Sequence, residues 1–397
     1  MSEWKKVKLG EISQIIDGDR GKNYPKNNEF HSSGYCLFLN TGNVTPHGFS
    51  FENNQFISEE KDEQLRKGKL LRGDLIYTTR GTVGNVAYYD STIPYNQVRI
   101  NSGMVILRVG DKVNSAFLYQ LLKSKSCRTY FKSFCTGSAQ PQLPIKNLSQ
   151  ISFEIPPLFT QHRIATILSR YDSLIENYQK QIKLLEEAAQ RLYKEWFVDL
   201  HFPGHENTKI VDGVPEGWEK KRLVDLVDVQ YGYAFDGKLF NSNRKGMPIL
   251  RIRNIPDGTT SDYTTEEASK DYIVHNGDIV VGMDGIFHIN SWSGGDAYLV
   301  QRACSFRPKE ECMKGFIFQA IQEPIKFFEK TLVGATVAHL GKKHIDSIEL
   351  CVPKNFALYQ TFSKFYNQRQ GLLSQIRLLT EARDRLLPKL MSGEIAV

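Results

Sequence analysis

From Ile164 onward, apolar side chains recur in alternating steps of four and three: Ile164, Leu168, Tyr171, Ile175, Tyr178, Ile182, Leu185, Ala189, Leu192 and Trp196. With no Pro or Gly inside it, this heptad seam predicts one long helix that buries a single stripe against a helical partner. At 1.5 Å per residue, a helix of ~39 residues is on the order of 58 Å long. A second series repeats the phase at an offset of 194: Leu358, Phe362, Phe365, Arg369, Leu372, Ile376, Leu379, Arg383, Leu386 and Leu390. Two seams of equal length and phase pack most simply on each other, antiparallel if each helix leaves its own globular head. Gly371 is a weak point in the second helix. Arg369 and Arg383, which replace Ile175 and Ala189, either fix the register as buried polar seam positions do or snorkel to the surface.

Outside the seams the pattern shortens. Asp74-Leu75-Ile76-Tyr77, Met104-Val105-Ile106-Leu107, Asp278-Ile279-Val280-Val281 and Ile348-Glu349-Leu350-Cys351-Val352 are apolar stretches bounded by Gly, Asn and Pro, as strands are. Phe117–Leu122 and Phe316–Ile321 read as one helix in each of two heads. The heads are copies of each other. Trp4-Lys5-Lys6-Val7-Lys8-Leu9 returns as Trp218-Glu219-Lys220-Lys221-Arg222-Leu223, Gly73-Asp74 returns as Gly277-Asp278, and Gly137 with Leu143 returns as Gly334 with Leu340. A repeat this long is no solenoid unit. It implies two similar domains that grip two similar things. The expected architecture is α+β: a β-rich head over 1–158, a long helix over 159–201, a linker over 202–214, a second head over 215–355 and a second long helix over 356–397.

Composition narrows the class. Of 397 residues, 41% are hydrophobic and 24% charged, as in globular proteins. No run approaches 18 apolar residues and the N-terminus lacks a signal-peptide core, so a cytoplasmic protein without a membrane partner is expected. The six cysteines form no Cys-x-x-Cys pair, which argues against a zinc knuckle or a disulfide framework. Charge is uneven: residues 1–159 carry 20 Lys and Arg against 14 Asp and Glu, and residues 201–355 carry 19 against 21. The first head could attract a phosphate backbone by charge alone; the second would need a local basic patch or basic partners. Gly232-Tyr233-Ala234-Phe235-Asp236-Gly237-Lys238-Leu239 is one residue short of a nucleotide phosphate loop, with Leu239 where a magnesium-binding hydroxyl belongs. Its matching Gly18 in the first copy marks it as a head loop. His275, His288, His339 and His344 lack metal-ligand spacing, and no Asn-Pro-Pro-Tyr type methyltransferase motif is present.

Four stretches frame the chain: Ile155-Pro156-Pro157-Leu158 with Gln161 and Ile164; Leu192-Tyr193-Lys194-Glu195-Trp196-Phe197-Val198-Asp199 with Phe202-Pro203-Gly204; Val214-Pro215-Glu216-Gly217-Trp218; and Arg385-Leu386-Leu387-Pro388-Lys389-Leu390-Met391-Ser392-Gly393-Glu394-Ile395. In this order and spacing, the chain resembles the specificity subunit of Type I restriction-modification enzymes. The resemblance implies two target recognition domains that each read half of an asymmetric bipartite site on double-stranded DNA. It also implies an antiparallel coiled coil that measures the spacer and docks two modification subunits, to which restriction subunits add. S-adenosylmethionine, ATP and Mg are then expected on the partners, with no cofactor, metal or catalytic residue on this chain. One departure is Val352-Pro353-Lys354-Asn355-Phe356 with Gln360, looser than the Pro156-Pro157 entry, which blurs the start of the second helix. The rival reading is a coiled-coil adaptor that tethers proteins without reading DNA.

Candidates for DNA contact are polar and basic residues on loops after strands. Thr79, Arg80 and Thr82 lie between glycines that would let the backbone approach a phosphate. The counterpart Met283-Asp284-Gly285 swaps the Arg for an Asp that could accept from a cytosine amino group. Asn96, Gln97 and Arg99, echoed by Gln301 and Arg302, and Arg251, Arg253 and Asn254, are of types that make bidentate base contacts. Ser138 and Gln140, Lys342 and Lys343 suit the backbone, and Tyr233 joins them from the Gly232 loop.

Overall fold

The computed structural model describes residues 4–137, 140–332 and 338–397. The chain divides into two compact units, one of Met1–Leu174 with Leu379–Val397 and the other of Ile175–Leu378. These units cut across the expected segments, because each takes a head together with part of both long helices.

In the first unit, Ser13–Asp17, Met104–Val109, Leu75–Thr78 and Val86–Tyr88 form an antiparallel four-stranded sheet in that spatial order. Side-chain alternation gives this sheet two buried faces. Leu75, Tyr77, Val105 and Leu107 pack toward the helices, whereas Ile76, Met104 and Ile106 pack toward a second sheet. That second sheet is Phe56–Ile57, Cys36–Leu39 and Val98–Ile100, with the last two strands parallel. Burial on both faces is why the Gly-Asp strand reads as a continuous apolar run rather than an alternating one. Lys5–Lys8 pairs with Ser152–Ile155 to close the head.

The second unit repeats this topology. Val227–Tyr231, Ala303–Pro308, Ile279–Gly282 and Ile289–Ser291 form its four-stranded sheet, Met247–Leu250 runs parallel to Ala297–Leu299, and Trp218–Arg222 pairs with Glu349–Pro353. The repeated Gly-Asp has a structural cause. Gly73 and Gly277 adopt φ of +96° and +85°, a turn that side chains resist. Asp74 then accepts from the Leu71 amide and pairs with Arg108, as Asp278 accepts from the His275 amide and pairs with Arg307.

The long helices span Leu158–Tyr193 and Ala357–Met391, so the second begins where Asn355 Oδ1 accepts from the Ala357 amide. Every predicted seam position in both is buried or half-buried, including Leu168, Tyr171, Ile175, Tyr178, Ile182, Leu185, Leu192 and Trp196 on the first, and Phe362, Phe365, Leu372, Ile376, Leu379, Leu386 and Leu390 on the second. Within each unit the helices run antiparallel. In the first, Ile164 and Leu168 share a core with Leu387 and Leu390, and Asp172 meets Arg383 at 2.8 Å. In the second, Glu186 meets Arg369 at 2.6 Å and the Tyr193 ring meets Phe362. The seam arginines are therefore held by acids on the facing helix rather than snorkelling free.

The framing motifs are helix fastenings. A π-helical turn at Lys194–Val198 turns Phe197 inward against Tyr193, Trp218, Phe316 and Phe362, with ring centroids 4.8–5.6 Å apart. In the first unit, Gly393 (φ +74°) lies against the Trp4 indole, close enough that a Cβ would stand 3.0 Å from Nε1. Gln161, 1% exposed, donates to the Pro156 carbonyl and accepts from the Asn114 amide. The Tyr359 hydroxyl takes the corresponding role on the Pro353 carbonyl. The expected linker contains structure: Ile210–Val211 pairs with Val214–Pro215 across Asp212-Gly213, both at positive φ, as a two-residue hairpin turn requires.

Candidate nucleic-acid interface

Each head builds one junction from four loops. In the first, the loop after Leu75–Thr78 turns at Gly81, with φ +69°; in the second, the loop after Ile279–Gly282 turns at Gly285, also with φ +69°. The amides of Thr79 and Arg80 donate to the Gly103 carbonyl, and that of Met283 donates to the Arg302 carbonyl. Leu143 donates to the Thr79 carbonyl as Leu340 donates to that of Met283. Single antiparallel bridges join Arg80 to Gln142 and Asp284 to His339. Finally, the turns Thr41–Asn43 and Ile252–Asn254 border the junctions, each tightened by an Asn side chain that accepts from the amide three residues earlier.

Two glycines set how closely the loops approach. A Cβ on Gly18 would stand 2.2 Å from the Asn101 carbonyl oxygen, and one on Gly232 would stand 2.1 Å from that of Val300. The Gly232 loop is thus a packing loop, with Phe235 buried and Tyr233 ringed by Phe235 and Tyr272. Tyr233 also exchanges backbone bonds with Leu299 and Gln301, which brings it to the second junction.

The chemistry on this common backbone differs between heads. At the first junction Arg80 is half-buried and, among the described residues, enters no ion pair; Thr82 and Gln140 are exposed beside it, and Arg20 donates to the Ser102 carbonyl. Thr79 is buried with its hydroxyl on the Gly103 carbonyl, so it contributes structure rather than a free donor. At the second junction Asp284 accepts from His339 Nδ1 at 2.6 Å and from the Arg302 guanidinium. Burial raises the Asp284 carboxyl, but the His339 and Arg302 bonds outweigh it and hold the acid below its usual range. The expected cytosine acceptor is therefore already occupied. Arg302 stands where the first head has Gly103, and it does so at φ +68°. A side chain in that region costs on the order of 1–3 kcal/mol, more than the ~0–1 kcal/mol an exposed ion pair returns.

The remaining candidates separate. Arg99 is 5% exposed, paired with Asp62 and bonded to the carbonyls of Lys67 and Asp62, so its donors are consumed in the core. Asn96, bonded to Arg72, and Gln97 precede the Val98–Ile100 strand, whereas the junction lies at the strand's other end. Arg253 pairs with Asp262, Asn254 is spent on its own turn, and Arg251 stacks over Phe240 at 5.3 Å. Lys342 and Lys343 are exposed at the start of a short helix just after His339 and Leu340. Ser138, with the Gly334-Ala335-Thr336 echo, lies outside the described residues. Sequence reasoning missed His339, Arg20 and the Asn40–Asn43 turn. The last could have been found, since Asn40-Thr41-Gly42-Asn43 sits at the same place after its strand as Arg251-Ile252-Arg253-Asn254.

The model for the Type I restriction modification DNA specificity domain matches residues 1–187 and again 215–377, once for each head with its helix. The chain belongs to the Type I restriction-modification specificity subunits. Among this family the chain is 30% identical to the MjaIX specificity subunit of Methanocaldococcus jannaschii over 82% of this chain and 78% of that one. It is 25% identical to the HindI specificity subunit of Haemophilus influenzae over the full length of both. The fold of this specificity subunit matches the crystal structure of a Type I S subunit from M. genitalium with a TM-score of 0.59, at 16% identity over 98% of this chain and 96% of that one. Among the described residues no helix is long and apolar enough to cross a membrane, and no cluster of His, Cys, Asp or Glu is placed to hold a metal.

Proposed function

We propose that the two heads read the two halves of a bipartite DNA site, and that the long helices set the number of base pairs between them. The observation that carries this reading is the pair of junctions: one backbone built twice, with Arg80 and Gly103 in one head and Asp284 and Arg302 in the other. A repeated frame suits two docking events of the same kind, and divergent side chains suit two different half-sites. The chain recognises, and modification subunits carrying S-adenosylmethionine methylate an adenine in each half after flipping it from the duplex. Restriction subunits with ATP and Mg complete the assembly. The acidic balance of the second head makes the partners' contribution to affinity large, so the chain alone should bind weakly and with a steep salt dependence.

Single-molecule sequencing of the host genome with and without this gene tests the reading. Loss of adenine methylation at one motif of two short blocks around a fixed spacer supports it. An unchanged methylation pattern would instead favour an adaptor indifferent to DNA.

A further inference from the structure

The second junction holds an arginine in the left-handed backbone region, at the position that Gly103 fills in the first head without entering that region. Arg302 sits at φ +68°, its side chain is 66% exposed, and its guanidinium is held on one side by Asp284, itself steadied by His339. An exposed ion pair is too weak to explain why this position is not Gly. The strain is more economically explained by what the side chain presents outward. Asp284, 13% exposed and doubly bonded, has little left to offer a ligand, whereas the Arg302 fork has five N–H groups and Asp284 engages one side of it.

We propose that Arg302 reads a guanine of the half-site bound by the second head, donating to O6 and N7 in the major groove, and that Asp284 is a positioning residue which aims it. This rests on the DNA-reading function proposed above. In the first head the cation comes from Arg80 on the neighbouring loop, so the two heads present an arginine from different strands of the same junction. The two half-sites should therefore place their required G·C pair differently.

The test selects randomised duplexes on the full-length chain at low ionic strength and compares wild type with Arg302→Gly, Arg302→Lys and Asp284→Asn, alongside thermal denaturation of each. Arg302→Gly should melt no lower than wild type, because glycine accepts the positive φ. It should nevertheless lose about 5- to 150-fold discrimination at a single G·C pair, with the other positions unchanged. Arg302→Lys keeps the charge but not the fork, and should lose the same preference. Asp284→Asn should keep the G·C preference while enriching less strongly. A wild-type consensus that Arg302→Gly reproduces in full would overturn the assignment, as would an Asp284→Asn variant that loses a cytosine preference while guanine is untouched. Failure of the wild type to enrich any consensus at low ionic strength, together with host methylation that is unchanged when the gene is removed, would instead remove the DNA-reading function itself.

Discussion

Arg369→Ala is expected to destabilise the Ile175–Leu378 unit by about 2–3 kcal/mol. Arg369 is 8% exposed, and its guanidinium donates to Glu186 at 2.6 Å, to Asn290 Oδ1 at 2.8 Å and to the buried Ser291 hydroxyl. Removing one partner of a fully buried ion pair costs about 3–5 kcal/mol. Here the loss is smaller for two reasons. The Glu186 side chain keeps 35% of its surface in water, and the other acceptors retain second donors, Gln370 on Ser291 and the Ser291 amide on Asn290. At ~2–4 °C per kcal/mol for a domain of this size, the melting temperature should fall by about 4–12 °C. Circular dichroism of the full chain during thermal and urea unfolding reads this directly. Replacing both partners, Arg369→Met with Glu186→Leu, should recover most of the loss, because an apolar pair leaves no stranded charge. An Arg369→Ala variant within 0.5 kcal/mol of wild type would refute the reasoning, and so would a double variant no better than the single one.

Three further outcomes follow from the same geometry. Gly232→Ala and Gly18→Ala should each cost about 1–3 kcal/mol by forcing the Val300 or Asn101 carbonyl away, whereas Gly371→Ala, with nothing within 4 Å and a helical backbone, should gain about 1 kcal/mol; melting curves of the three variants decide. Burial raises the Asp172 carboxyl, but Lys123, Gln120 and Arg383 outweigh it and lower its pKa, so its contribution is present above pH ~4 and lost as pH falls through the depressed folded value. Asp172→Asn should therefore be most destabilising near neutrality and converge on wild type in acid, as urea midpoints measured across pH will show. Arg99→Ala should lower stability by leaving the buried Asp62 carboxylate with Lys69 as its one remaining cation, while leaving DNA sequence preference unchanged in the duplex selection.

The sequence by itself determined everything that depends on local repetition. The heptad steps found both helices and their starts, since a 3.6-residue turn puts each fourth and third side chain on one stripe, but the expected ranges overran the ends at Val198 and Met391. The paired Gly-Asp turns located the same strand in both heads, because a positive φ at Gly73 and Gly277 is a local demand. Tertiary structure alone decided which charges face each other. Nothing in the spacing says that Arg369 finds Glu186, that Arg99 is spent on Asp62, or that Asp284 is closed off by a histidine 55 residues away and an arginine 18 residues away. An ionic side chain reads as a surface contact until its partners are known, and those partners arrive from other strands. The same limit separates the two heads. Their frame was legible because it repeats, whereas the exchange of Arg80 and Gly103 for Asp284 and Arg302 gains meaning only where four loops meet.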